Sequence, residues 1–295
     1  MSKPVRHVGR RAFTYVELLA MLAIAGILLA IFIPYLSSVR ELARQSSCRD
    51  NLRRLRDALN TYANDNHKDY PRTKYDPAVN ADGYTAYTGA YAGNPFSIAV
   101  GPSDVTASLW LLVRGGYVKD ISVFVCPSST QRPDTLMDEQ GHVMAATMRS
   151  NFRSSANLSY SYASPFSGYG DYRLNSDYLP AQFAILADRN PGAGAALVAH
   201  DASPLELAAA NSRNHNRAGQ NVLFADGSIE FVATPYCGVG RDASHPDGDN
   251  IYTALAPKPL SGESPFYAGN GYVGRRFGPS YQYDSYLVPT DDDGP

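Results

Sequence analysis

Apolar and charged residues separate sharply near the start of this chain. Arg10 and Arg11 precede Phe13-Thr14-Tyr15-Val16-Glu17, and an uncharged run then extends from Leu18 to Leu36. At about 1.5 Å per residue that run reaches roughly 28 Å, the thickness of a bilayer's hydrocarbon core, so the pattern predicts a membrane-spanning helix. Glu17 stands at its mouth. An ionised side chain costs about 2.5–3.5 kcal/mol at mid-membrane depth, so this carboxylate asks for a partner. The basic pair before the run should hold that end in the cytoplasm. Behind Pro34 the pattern turns amphipathic. Cys48, Leu52, Leu55, Leu59 and Tyr62 recur at helical spacing, with Arg49, Asp50, Arg53, Arg54 and Asp57 mostly off their stripe. Pro34 removes one intrahelical N–H and should kink the rod without ending it, because strong helix formers resume behind it. The expectation is one helix of about fifty residues, closing near Asn64-Asp65-Asn66 before Pro71.

The remaining chain carries shorter signals. Tyr70 to Val105 has no helical period and reads as loop. Leu109 to Val113 predicts a short helix stopped by Gly115-Gly116, and Val118 to Val125 alternates loosely as a strand into Cys126-Pro127. Leu158 to Tyr162 alternates as a strand, and Phe183 to Ala187 is an apolar run suited to a buried strand that closes on the turn residues Asp188 to Gly192. Asn221 to Ala225, Asp226-Gly227 and Ser228 to Val232 form the strongest hairpin signal, a two-residue turn with both turn positions at positive φ. From Pro235 the chain is rich in Gly, Pro and Tyr and reads as ordered loops wrapping the head, with Asp291 to Asp293 solvated and free.

With 44% hydrophobic and 18% charged residues the chain is an ordinary globular composition, which excludes wholesale disorder. Its net charge is −2, and without Lys3, Arg6, Arg10 and Arg11 it would carry 22 basic against 28 acidic side chains. That balance leaves no electrostatic footprint for nucleic acid. Cys48, Cys126 and Cys237 all follow the apolar run, in an oxidising space if the orientation holds. They allow one disulfide and leave one thiol over. A conventional secretory signal fits poorly, because its apolar region runs about 7–15 residues without an acid at the start. The 21 tyrosines are explained by edge and loop packing of large amphipathic rings.

Arg10-Arg11-Ala12-Phe13-Thr14-Tyr15-Val16-Glu17-Leu18-Leu19 resembles the processing site of type IV prepilins and pseudopilins: a short basic leader, cleavage before a Phe, Glu shortly after it and a proline further along, here Pro34. Ala12 stands where that family most often has Gly. Arg44 to Leu52 and the Cys126-Pro127 pair are similar to a pseudopilin-like bacterial family defined by a C-terminal His-Asp-Gly region. Asn214-His215 followed by Asn221 to Gly227 is similar to that region, with one residue more between His215 and Asp226 than the family places there, and Asp284 to Pro289 resembles the family's tails.

The resemblance implies a leader at residues 1–12, a transmembrane and filament-core half of the helix at 13–36, an amphipathic half at 37–66 and an α+β pilin-like head at 67–295, built on an antiparallel sheet with long loops. It implies cleavage between Ala12 and Phe13 by a prepilin peptidase with N-methylation of Phe13, assembly through Glu17 and Pro34 with copies of itself or other pilins or pseudopilins, and storage in the inner membrane before entry into a pilus or a type II secretion pseudopilus. It also implies a disulfide between Cys48 and Cys126, and it leaves His215, Asp226 and Gly227 as a motif of unknown role. Secretion pseudopilins resembling this chain can hold calcium. Asp247, Asp249 and Asn250 are the weak candidates here, Asp188 and Asn190 weaker still, and turn formation explains them better because Ile251 breaks an EF-hand pattern. No nucleophile elbow, helical His pair or phosphate-binding loop accompanies His215, so no enzyme is expected. The rival reading is a membrane-tethered binding or enzymatic ectodomain that shares only the anchor.

Overall fold

The computed structural model describes residues 14–77, 83–138, 140–193, 198–240, 248–255, 271–273 and 275–293. The processing residues Ala12 and Phe13, and Asp247 of the calcium candidates, lie outside them. The chain divides into two compact units, Met1–Ala43 and Arg44–Pro295.

The first unit is the N-terminal part of helix α1, which runs over Tyr15–Asp65. Thr14 starts it with a capping box: its backbone N–H and hydroxyl each donate to Glu17 Oε2 at 2.9 Å, and Glu17 N–H returns to Thr14 Oγ1 at 3.2 Å. Every described side chain from Thr14 to Leu36 is exposed, and the helix is long and apolar enough to cross a membrane. The helix passes through Pro34 without ending.

In the second unit the C-terminal part of α1 buries Cys48, Leu52, Leu55, Ala58, Leu59 and Ala63 in the core, while Arg53, Arg54 and Asp57 face solvent. Helix α2 (Val105–Arg114) is buried from Val105 to Val113. Asp104 caps it by accepting from Ala107 N at 2.7 Å, and Gly116, at φ 78°, takes the chain out of it. Trp110 lies edge-on to Phe152 at 4.8 Å, and Phe152 edge-on to Phe124 at 5.0 Å, a chain of edge-to-face aromatic contacts within the core.

Strands β1 (Tyr160–Ala163), β2 (Ala184–Asp188), β3 (Gln220–Phe224) and β4 (Ile229–Val232) follow, with the short helix α3 (Pro204–Ala209) between β2 and β3. A separate pair, β5 (Ala254–Leu255) with β6 (Gly271–Tyr272), precedes β7 (Leu287–Val288). The main sheet is antiparallel in the order β4-β3-β2-β1-β7. Its three central strands are buried at every residue, as a sheet covered on both faces requires. The coarse α+β expectation therefore holds: a long apolar N-terminal helix and a five-stranded antiparallel sheet.

Four local expectations are corrected. Ile121–Phe124 is a 3₁₀ turn where a strand was expected, because Asp120 accepts from both Ser122 N and Ser122 Oγ and folds the segment on itself. The Asp226-Gly227 hairpin is not a two-residue turn with two positive φ angles. Only Gly227 is left-handed, at φ 85°, and its N–H bonds to Phe224 O at 2.9 Å, so the loop is a wider one ending in a left-handed glycine. The C-terminal acids are not free. Asp293 is buried and accepts from Tyr84 Oη at 2.6 Å, Asp291 pairs with Arg189 and Arg213, each at 3.2 Å, and Asp292 accepts from Ala193 N at 2.7 Å. The tail is not only loop, since β7 pairs with β1 through Tyr162↔Val288 and closes that side of the sheet.

The two parts of α1 should respond differently to truncation. Leu52→Ala removes a wholly buried side chain and should destabilise the head by about 2–5 kcal/mol. Leu22→Ala, exposed in the first unit, should change head stability by less than about 0.5 kcal/mol. Urea unfolding of the detergent-solubilised full chain, followed through the fluorescence of the single tryptophan, Trp110, measures both.

Candidate functional site

The sheet's most polar interior point lies at the end of β2. Asp188 is fully buried there, opposite Tyr160 in the β1–β2 register. An isolated carboxylate at such a depth is costly, so the chain must bring donors to it. Asn221, in β3, donates its backbone N–H to Oδ2 at 2.7 Å and its amide at 3.3 Å. Asn214 donates its amide to Oδ1 at 2.9 Å and to Ser159 O at 3.1 Å.

Three further side chains converge on Asp188, each fully buried. Cys48 arrives from α1, on the same stripe as Leu52 and Leu55, with Sγ 3.3 Å from Asp188 Oδ1 and 3.2 Å from Tyr160 Oη. Cys126 follows the 3₁₀ turn, where Ser128 N–H donates to its Sγ at 3.4 Å. His215 lies in a short 3₁₀ segment at φ 54°, and Asn216 and Arg217 beside it are also left-handed, at 55° and 61°. Three successive non-glycine residues in that region are a strained backbone held by its surroundings. The strain turns the imidazole inward: Nε2 lies 3.4 Å from Cys126 Sγ, 3.4 Å from Asp188 Oδ2 and 3.2 Å from Asn221 Nδ2, and Phe231 packs edge-on to the ring at 5.8 Å. One ligand atom from each of Cys48, Cys126, Asp188 and His215 falls within 4.8 Å of all the others.

Taken as four side chains alone, the group is electrostatically polarised. Burial pushes the Cys48 thiol well up, helped by its hydrogen bond to Cys126 and the charge of Asp188. The Cys126 thiol is pushed down, first by the hydrogen bond with Cys48 and then, against burial, by His215. Burial alone would lower His215, but the hydrogen bonds and charges of Asp188 and Cys126 outweigh it and push the imidazole up to about 11. Burial likewise opposes ionisation of Asp188, and the His215, Asn214 and Asn221 contacts reverse it, so its carboxyl lies below its usual range.

A thiol–imidazole–carboxylate set suggests nucleophilic chemistry, and the geometry argues against it. In a relay the carboxylate orients the ring nitrogen opposite the nucleophile. Here Asp188 and Cys126 both face Nε2, and both sulfurs are sealed from solvent. What the arrangement offers is two soft sulfurs, a borderline imidazole and a hard carboxylate brought close together. An open cleft of about 520 Å³ borders it, sharing Asn214 and Ser128 and lined further by Arg189, Arg213 and Asp291.

The residues singled out in the sequence are distributed unevenly. Cys48, Cys126 and His215 meet in this cluster. The two cysteines are free thiols, so the structure does not hold the disulfide that the resemblance implied. Asp226 and Gly227 lie in the turn beyond β3, past about 10 Å of strand from Asn221 to Phe224. Asp226 is exposed and accepts from Ser228 N at 2.8 Å. The His-to-Asp-Gly spacing thus measures a loop plus the length of β3, and the three residues do not share a site. Cys237 is half-buried, its thiol pushed up by burial, and is not in the cluster. Asp249 accepts from Ser285 N at 3.2 Å, and Asn250 accepts from Tyr252 N at 3.0 Å. Asn190 spends its amide on Tyr252 O and Leu287 O, each at 2.9 Å. These side chains stitch loops together as turn residues do. Asp188 stood out only as a weak calcium candidate, Asn214 and Asn221 only as neighbours of the His-Asp-Gly motif, and Tyr160 only as a strand residue. The four ligand-type residues are scattered from position 48 to position 215 with no short metal-binding spacing to betray them.

Compared with family models, curated proteins and solved structures, the chain matches none of them.

Asn214→Ala should cost about 1–3 kcal/mol, because it leaves Asp188 Oδ1 and Ser159 O each short of a buried donor. Asn60→Ala on the exposed face of α1 should stay within about 0.5 kcal/mol. Urea midpoints of the two full-length variants provide the comparison.

Proposed function

We propose that this chain is a prepilin-like structural subunit, stored in the inner membrane with its head outside the cytoplasm. A prepilin peptidase processes it between Ala12 and Phe13, and it assembles through α1 with copies of itself or with other pilins or pseudopilins. One observation carries the reading: a single helix is apolar from Leu18 to Leu36 and exposed at every described side chain there, yet packs a narrow stripe, Cys48 to Ala63, into a globular head. A secretory signal or a simple tether needs the first property only. The register of Arg10, Arg11, Phe13, Glu17 and Pro34 supports the same reading. The subunit carries out no catalysis in this proposal.

Glu17 acquires a second role on cleavage. In the structure it closes the capping box with Thr14. Once the leader is removed, the new Phe13 amine is a cation at the edge of the apolar run and needs a carboxylate as much as Glu17 needs a cation. Between staggered neighbours that pair would also fix subunit register.

Mass spectrometry of mature protein should find Phe13 at the N-terminus, N-methylated, and peptides spanning intact Arg11-Ala12-Phe13 in mature material would overturn the processing step. Cell fractionation with electron microscopy should recover the chain in sheared filaments, whereas a purely membrane-bound monomer would favour the tethered-ectodomain reading.

Glu17→Ala and Glu17→Gln should insert and be cleaved normally but enter filaments poorly, since stranding one member of a buried pair costs roughly 3–5 kcal/mol. Glutamine still closes a capping box, so normal assembly of Glu17→Gln with failure of Glu17→Ala would assign the residue to capping alone.

A further inference from the structure

We propose that Cys48, Cys126, Asp188 and His215 form a closed tetrahedral Zn²⁺ site that fastens the C-terminal half of α1 to the head sheet. The inference rests on the geometry of the Arg44–Pro295 unit and is independent of the filament reading.

The donor spacing carries it. A tetrahedral zinc with ligand bonds of about 2.0–2.3 Å has donor-to-donor edges of about 3.3–3.8 Å. With Asp188 Oδ2 as the carboxylate donor, two edges measure 3.4 Å (Cys126 Sγ to His215 Nε2 and His215 Nε2 to Asp188 Oδ2), Cys48 Sγ lies 3.3 Å from the neighbouring oxygen Oδ1, and one ligand atom from each of the four residues lies within 4.8 Å of the others. Close contact of three such donors around one point is what a shared cation produces. Two sulfurs, one imidazole nitrogen and one carboxylate oxygen suit Zn²⁺ and not Ca²⁺, which takes six to eight oxygens.

The surroundings are those of a metal's outer shell. Asn221 and Asn214 fix both oxygens of Asp188, Ser128 N–H points at Cys126 Sγ, and Tyr160 Oη lies against Cys48 Sγ. The left-handed backbone at His215 aims its ring where the other three donors meet. All four ligands come from the protein and all are wholly buried, so no coordination position is left for water or substrate, and the role is structural.

The test uses the full chain, harvested with rapid thiol alkylation in one aliquot and purified in detergent without chelator in another. Elemental analysis should find one zinc per chain in wild type and in Cys237→Ser, and only trace metal in Cys48→Ser and His215→Ala. Chelator treatment of wild type should lower its Tm, and added Zn²⁺ should restore it. That arm stands even where a cysteine variant fails to fold. Co²⁺ added to stripped protein should give tetrahedral d–d bands with a thiolate charge-transfer band. Trace zinc in wild type together with no tetrahedral Co²⁺ spectrum would overturn the site, as would recovery of a Cys48–Cys126 disulfide as the main species in the alkylated aliquot.

Discussion

The fold depends on what surrounds one carboxylate. Asp188 ends β2 inside the protein, where an unpaired charge costs several kcal/mol, and the donors that relieve it come from three pieces of chain: Asn221 from β3, Asn214 and His215 from the left-handed loop, and Cys48 from α1. The constraint is asymmetric. Net gain from each hydrogen bond is small, but the loss of any one leaves a buried acceptor short. That asymmetry explains why the loop before β3 tolerates three left-handed residues in succession. Relaxing them would withdraw His215 and Asn214 together from a carboxylate that has no water to turn to.

Helix α1 answers to two sets of rules along one axis. From Leu18 to Leu36 its apolar residues occupy every direction around the helix, which suits lipid or neighbouring helices and no single face of a globular core. From Cys48 onward, apolar residues withdraw to one stripe and Arg53, Arg54 and Asp57 take the rest. The change of pattern falls near the boundary of the two compact units, at Ala43 and Arg44. Composition alone therefore marks where burial of the helix begins.

The helix, its stripe, strands β1 and β2 and the hairpin were legible because each is a local pattern longer than its ambiguities. The errors fell where a few residues decide. Asp120 and Ser122 settled a 3₁₀ turn against a loose strand alternation, and Gly227 alone, without Asp226, took the left-handed turn position. Strand β7 was unreadable because two residues carry no period, and its place beside β1 is fixed by tertiary pairing. The site was half legible. Cys48, Cys126 and His215 stood out one by one as chemically capable residues, but their meeting point is Asp188, which in sequence is one polar residue opening a turn-rich stretch. No spacing rule relates four residues that α1, a loop after a 3₁₀ turn, a strand end and a left-handed loop bring together.

The position of the cluster on α1 addresses a problem that hydrophobic packing leaves open. Leu52, Leu55 and Leu59 specify which face of the helix meets the core. A stripe of this period nonetheless looks much the same after a slide of one turn, about 5.4 Å, so apolar contact fixes rotation better than it fixes translation. Directional contacts do not repeat in that way. Cys48 must place its sulfur beside Asp188 and Tyr160, Asn51 must reach Val125 O at 3.0 Å, and Arg56 must reach Gly227 O at 3.3 Å. A one-turn slip breaks all three and, at Asp188 and Tyr160, leaves buried polar groups short of a partner. Polar contacts of this kind contribute little net stability and much specificity. A shared cation at Cys48, Cys126, Asp188 and His215 would convert that specificity into strength, because coordination bonds neither stretch nor slide to the next turn. On the proposed reading this would fix the head in one register on the helix through which the subunit assembles.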